Sequence, residues 1–154
     1  LFFMAERFQQ LSKEKNTIDL FSKFTVSDYA FFKSKLFAHN NLKNHELNLF
    51  SRLYDIMFSS VRKPELLIYL HADIRRLQKN ILKRGRNYEQ NIADSYLKKI
   101  ESKYLDYLKK QSEFPVLILD ITHVNFVKED RVYQRILTEI NQFDENKKIM
   151  RVVL

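Results

Sequence analysis

Apolar positions recur with helical spacing along most of this chain. Residues 1–12 read as the exposed end of an amphipathic helix. A second helix, rich in aromatic residues, is predicted over 29–38. A third is predicted over 45–59, where Leu49, Phe50, Leu53, Tyr54 and Met57 recur at three- and four-residue steps. Pro64 stops it. Asp73 stands where a helix cap is needed, ahead of a helix running through about Lys83 and ending near Gly85. A long helix over 92–111 carries Ile92, Tyr96, Ile100, Tyr104, Tyr107 and Leu108 on one stripe. A last helix near 129–143 uses Val132, Ile136, Leu137 and Ile140.

Two stretches abandon the helical period. Glu65–His71 and Pro115–Asp120 are continuous apolar runs of strand length, the pattern of parallel strands covered on both faces. The second ends on an acidic residue, Asp120, at the strand end where ligands gather in open α/β sheets. Phe24–Asp28 is a shorter β-prone run. Ile149–Leu154 reads as an edge strand or a pairing tail. Strands alternating with helices predict an α/β fold with a parallel sheet flanked by helices. There is no internal repeat, low-complexity tract or interdomain linker, so 1–154 reads as one domain. Three strands make a small sheet for 154 residues, and the opening Leu1–Phe8 reads as mid-helix. The pattern therefore predicts an incomplete domain with residues preceding Leu1.

Composition narrows the function classes. The formal charge is +8, from 27 Lys+Arg against 19 Asp+Glu, which favours anionic partners. Residues 73–110 hold eleven of those cations against five acids. Lysine runs of this kind are usually solvated helix faces. Lys83-Arg84-Gly85-Arg86 differs, because it falls outside any apolar period and arginine suits bidentate phosphate contact. Gly85 is the only glycine in 154 residues, so a Gly-rich phosphate loop is excluded within this chain. The absence of cysteine excludes disulfides, thiolate metal sites and a Cys nucleophile. A serine-hydrolase reading fails for want of a Gly-flanked nucleophile turn. His39, His45, His71 and His123 show no metal-ligand pairing and read as surface or loop residues. No apolar run approaches bilayer length.

Arg84-Gly85-Arg86-Asn87-Tyr88-Glu89, followed by Tyr96-Leu97, resembles the lid of the deoxynucleoside kinases, here near 83–91. That family reads Arg-Gly-Arg, two residues, Glu, then a helix with Tyr-Leu. Pro64–Leu70 is similar to the family's strand before the lid helix, Pro115–Asp120 to its last core strand, and Lys35–Ala38 to its aromatic helix. The resemblance covers most of residues 1–143 in order. It implies a P-loop kinase-like fold and transfer of the ATP γ-phosphoryl group to the 5′-hydroxyl of a deoxynucleoside, with Mg2+. Arg84 and Arg86 would serve the phosphates and the transition state, where comparable donors are worth roughly 3–4 kcal/mol. Glu89 would accept from the sugar 3′-hydroxyl; the plain alternative is a charge near a helix start. Phe37 would stack on the base and Lys33 would reach its edge, with a lean to purine; core packing is the alternative for Phe37. The Asp120 and Asn125 segment would run past the adenine, although an Asx turn equally explains Asp120. A cytoplasmic homodimer through the helices at 29–38 and 45–59 is implied, with no nucleic-acid or membrane partner.

Two departures qualify the resemblance. Where the family carries Glu/Asp-Arg-Ser, this chain has Ser27-Asp28-Tyr29. Asp28 is then a carboxylate near substrate or magnesium, or a cap for a helix starting at Tyr29. The family's first strand, phosphate loop, following helix and proton-accepting glutamate have no counterpart in 1–154, which implies a C-terminal portion inactive by itself. A nucleoside monophosphate kinase of the thymidylate type also has an Arg-rich lid, but the downstream Glu and Tyr-Leu fit a nucleoside acceptor better. A non-catalytic basic nucleic-acid-binding or interaction domain fits the charge and leaves the buried strands and lid turn unexplained.

Overall fold

Central to the sheet is the run Val116–Asp120, whose first four side chains are all buried. In the computed structural model, which describes residues 2–16, 24–144 and 146–154, the chain forms two compact units, Leu1–Lys63 and Pro64–Leu154. Each is described by itself.

The first unit holds three helices, α1 (Phe2–Asn16), α2 (Phe32–Asn41) and α3 (Asn44–Ser60). Met4, Phe31, Ala38, Phe50 and Tyr54 form its buried centre, with Phe8, Leu53, Met57 and Phe58 packed around them. The rings of Phe31 and Tyr54 stack at 5.2 Å, as do Tyr54 and Phe58. Stacked pairs add about 0.5–1.5 kcal/mol each beyond their buried area. Lys35 Nζ donates to Asp55 Oδ1 at 2.9 Å, tying α2 to α3.

Two expectations fail here. The run Phe24–Asp28 is not a strand: Phe24 and Val26 are exposed, and among the described residues no strand pairs with them. The aromatic helix starts at Phe32 rather than Tyr29. The Ser27 hydroxyl accepts from the Tyr29 amide (3.3 Å) and donates to the Tyr29 carbonyl (3.1 Å). Such local bonds compete with helix. Asp28 therefore caps nothing, because the residue at the cap position is Phe31, without a side-chain cap.

The second unit is α/β, with a three-stranded parallel sheet in the order β1 (Leu67–His71), β2 (Val116–Asp120), β3 (Ile149–Val153). Leu67 faces Val116 and His71 faces Asp120. Asp120 in turn faces Val153. Ile149–Val153 thus forms a strand, and Arg135 on α6 (Asp130–Asn141) donates to the Val153 carbonyl at 2.9 Å. Leu117 and Leu119 pack with Ile136, Val132 and Ile140, so α6 covers their face. Tyr69 lies on the opposite face and stacks on Tyr104 of α5 (Asp94–Lys110) at 5.7 Å. β2 is the doubly covered strand that its continuous apolar run predicted. β1 is not, because Ile68 and Leu70 are exposed at the sheet edge.

Between β1 and α5 lies α4 (Ile74–Arg84). Asp73 caps it, its carboxylate accepting from the Arg76 amide at 2.7 Å. Gly85 ends it in the left-handed region at φ 71°. A short 3-10 turn, Asn87–Glu89, follows. Gln78 Nε2 joins the two helices, donating to the Ile92 carbonyl (2.7 Å) and Asp94 Oδ1 (2.8 Å).

Candidate active site

The turn between α4 and α5 gathers three of the predicted side chains. Arg84 is the last residue of α4, and Gly85 reverses the chain in a conformation that L side chains avoid. The 3-10 turn then carries Glu89 back towards the arginines. Arg86 Nη1 donates to Glu89 Oε1 at 3.1 Å and Arg84 Nη1 to Oε2 at 3.4 Å. Gln90 Nε2 closes the turn on the Arg86 carbonyl at 3.3 Å. The two guanidinium side chains are 55% and 52% exposed, and the carboxylate between them 14%. The guanidinium groups keep most of their contact with water while they hold the carboxylate. An anion with more oxygens can displace the carboxylate, and guanidinium forks match phosphate oxygens.

A second polar cluster sits at the C-terminal end of the sheet. Asp120 Oδ2 accepts from Arg151 Nη2 at 2.7 Å and lies 3.1 Å from His71 Nδ1. Its Oδ1 accepts from the Thr122 amide at 3.1 Å. The other ring nitrogen of His71 lies 2.7 Å from Glu101 Oε1 on α5. Burial pushes the Asp120 carboxyl up, but the Thr122 and Arg151 bonds and the nearby His71 outweigh it and hold it well below the usual carboxylate range. Burial, with the Glu101 charge, pushes the adjacent Tyr69 hydroxyl up to about 12.

Comparison with known proteins places the chain in a family. The deoxynucleoside kinase family model matches residues 1–145. The chain belongs to the deoxynucleoside kinase family. It is 30% identical over 149 residues to a deoxyguanosine kinase of Bacillus subtilis, covering 92% of this chain and 70% of the relative. It is 28% identical over 134 residues to a deoxyadenosine kinase of Lactobacillus acidophilus, covering 78% and 62%. It is 25% identical over 139 residues to a deoxycytidine kinase of Bos taurus, covering 82% and 54%. The parallel α/β sheet flanked by helices agrees with this kinase family.

The remaining predicted residues are distributed as follows. In the first unit Lys33 Nζ donates to the Asp28 carbonyl at 3.1 Å, so these two meet through the backbone. Phe37 is 41% exposed, whereas Phe31, Phe32, Leu36 and Ala38 around it are buried. Core packing therefore does not account for Phe37. In the second unit Asn125 uses its main chain in a turn: its amide donates to Glu129 Oε1 at 2.8 Å and its carbonyl accepts from the Lys128 and Glu129 amides. Asp120 makes the bond to Thr122 that an Asx turn requires.

Sequence reasoning passed over His71, Glu101 and Arg151, treating His71 as a surface residue. Its side chain is 12% exposed. A usable signal was present. His71 and Asp120 each end an apolar run, and equal ends of adjacent parallel strands stand side by side. Among the described residues no group of three or more His, Asp or Glu side chains forms a metal site, and no helix is long and apolar enough to cross a membrane.

Proposed function

We propose that this chain carries the lid and sugar contacts of an ATP-dependent deoxynucleoside kinase. The reaction moves the γ-phosphoryl group of ATP to the 5′-hydroxyl of a deoxynucleoside, giving ADP and the 5′-monophosphate. The observation that carries the reading is the convergence of Arg84 and Arg86 on Glu89 around the left-handed Gly85. Phosphoryl transfer asks the protein for charge and position more than for covalent chemistry. Arg84 and Arg86 exchange Glu89 for phosphate oxygens as the lid closes. Glu89, released, accepts from the sugar 3′-hydroxyl. ATP arrives with its Mg2+ as substrate, and the ion supplies further neutralisation of the phosphates.

Phe37 offers an exposed face for the base and Lys33 a donor one turn earlier on α2. Asp28, joined to Lys33 through its carbonyl, belongs to the same substrate-binding group in this reading. Asn125 and the main chain after Asp120 line the adenine side. The deoxyguanosine and deoxyadenosine kinases among the relatives support a purine preference. The same reading has a cytoplasmic homodimer with α2 and α3 as its interface, and no nucleic-acid or membrane partner. Exposed Leu49 and Ile56, one heptad apart on α3, support that interface. The residues described account for phosphate and sugar contacts but not for a group that takes the 5′-hydroxyl proton. The 154 residues alone are therefore expected to show no turnover.

The test is Arg86→Ala in the full-length protein, assayed with ATP against the four common deoxynucleosides. kcat is expected to fall on the order of a hundredfold or more, the scale of losing one transition-state donor. KM for the deoxynucleoside should stay within about twofold. An unchanged kcat refutes the lid assignment.

A further inference from the structure

The cluster at the sheet end ties together the elements that frame the lid. His71 reaches both ways, to Asp120 at 3.1 Å and Glu101 at 2.7 Å. Glu101 lies two turns into α5, the helix that leaves the lid. Asp120 holds Thr122 through its amide, and the Thr122 hydroxyl accepts from the Asp73 amide at 3.1 Å. Asp73 caps α4, the helix that enters the lid. One chain of bonds therefore runs from α5 through His71 and Asp120 to the start of α4. Arg76 adds a second bond on the α4 side, its Nη2 donating to the Val124 carbonyl at 3.2 Å.

We propose that His71 is a positioning residue, which with Glu101 and Asp120 fixes α5 to the sheet and so sets the base from which the Arg84–Glu89–Arg86 lid closes on ATP. The inference rests on the kinase reading. A neutral imidazole has one N–H and donates to one carboxylate only; bonding both takes a donor on each side. The groups facing the ring are Glu101 from α5 and Asp120 from β2. Arg151 from β3 faces Asp120, and Tyr69 on β1 lies 6.4 Å from the ring. In this cluster Glu101 is held by His71, at 2.7 Å. Removing His71 leaves two largely buried carboxylates, takes its bond from Glu101, and frees α5 from the sheet end.

The experiment compares His71→Ala, His71→Gln, His71→Lys, Glu101→Gln and the double variant His71→Ala/Glu101→Gln in the full-length protein. His71→Ala is expected to lower kcat/KM for ATP about tenfold, roughly one lost hydrogen bond to a charged group, with deoxynucleoside KM within about twofold. His71→Gln, whose two N–H donors share one nitrogen and so do not span carboxylates held at the two separate ring nitrogens, should behave like the Ala variant, and His71→Lys, with several donors on a longer flexible stem, should recover most of the loss. The double variant should lose no more than the single ones, because members of one network are not additive. Multiplying losses, a Gln variant equal to wild type, or equal rises in both KM values overturn the proposal. If the wild-type protein phosphorylates no deoxynucleoside, the kinase reading fails by itself. The tether is then read from urea midpoints of the same variants, where additive shifts overturn it.

Discussion

Replacing Gly85 by alanine isolates one physical cost. Gly85 has φ 71° and ψ 18°, and its amide donates to the Ile81 carbonyl at 3.2 Å. A Cβ built there meets no heavy atom within 4 Å. Packing therefore contributes nothing, and the cost is the left-handed backbone alone. That is about 1–2 kcal/mol for an L residue. Alanine also restricts the unfolded chain, which returns about 0.4–1 kcal/mol. The net expectation is a loss of about 1 kcal/mol, or roughly 2–4 °C in Tm for a domain of this size. Gly85→Asn should lose less, since asparagine tolerates this region. The assay is urea unfolding of the two variants beside wild type. Because Arg84 and Arg86 flank the residue, the alanine variant should also lose more kcat than the asparagine variant. Alanine as stable as glycine, or asparagine worse than alanine, would refute the left-handed cap as the reason for this glycine.

Asp120→Asn should destabilise the protein by about 1.5–3 kcal/mol at neutral pH, since it removes an ionised acceptor from Arg151 and His71. The carboxyl is depressed in the folded state, so its contribution is fully present above the ordinary value of 3.8 and is lost as pH falls towards the folded value. The stability gap between wild type and variant should hold constant from pH 7 to pH 5 and shrink below about pH 4; a gap that widens on acidification refutes the sign. Asp73→Ala should cost about 1 kcal/mol through the lost α4 cap, read from the same unfolding curves, and a cost near zero would mean that the cap bond with the Arg76 amide does not persist in solution.

The local signals were the legible ones. Asp73 and Gly85 bound α4 as cap chemistry predicts, because a cap is decided within four residues. Pro115–Asp120 and Glu65–His71 were recognisable as strands because continuous apolar runs bounded by proline have few other uses. Phe24–Asp28 has the same β-prone residue types, yet strand formation needs a neighbour, and none is described beside it. The start of α2 slipped by three residues because a single serine hydroxyl outbid the helix. The bond from His71 to Glu101 spans 30 residues and that to Asp120 spans 49. Composition cannot supply such a pairing; strand register and the seating of α5 on the Tyr69 face do.

Position in the fold separates the two ionic clusters into different kinds of machinery. Arg84 and Arg86 stand on an exposed turn, while Glu89 between them is 14% exposed, as little as Asp120. A contact that must open and re-form in every cycle needs its residues on a turn with room to move. His71, Asp120 and Glu101 are all at least three-quarters buried and join β1, β2 and α5, and leaving a carboxylate there unpaired is expensive. A contact that costly serves a frame. The Arg84–Glu89 turn drew notice in the sequence because its residues are consecutive, six from Arg84 to Glu89, and the structure brings Arg84, Arg86 and Glu89 together. The frame did not, because a rigid cross-link gains most by joining elements far apart in the chain. If the proposed lid closes on the same point each time, its motion belongs to the turn at Gly85, and the sheet-end cluster fixes where that motion begins.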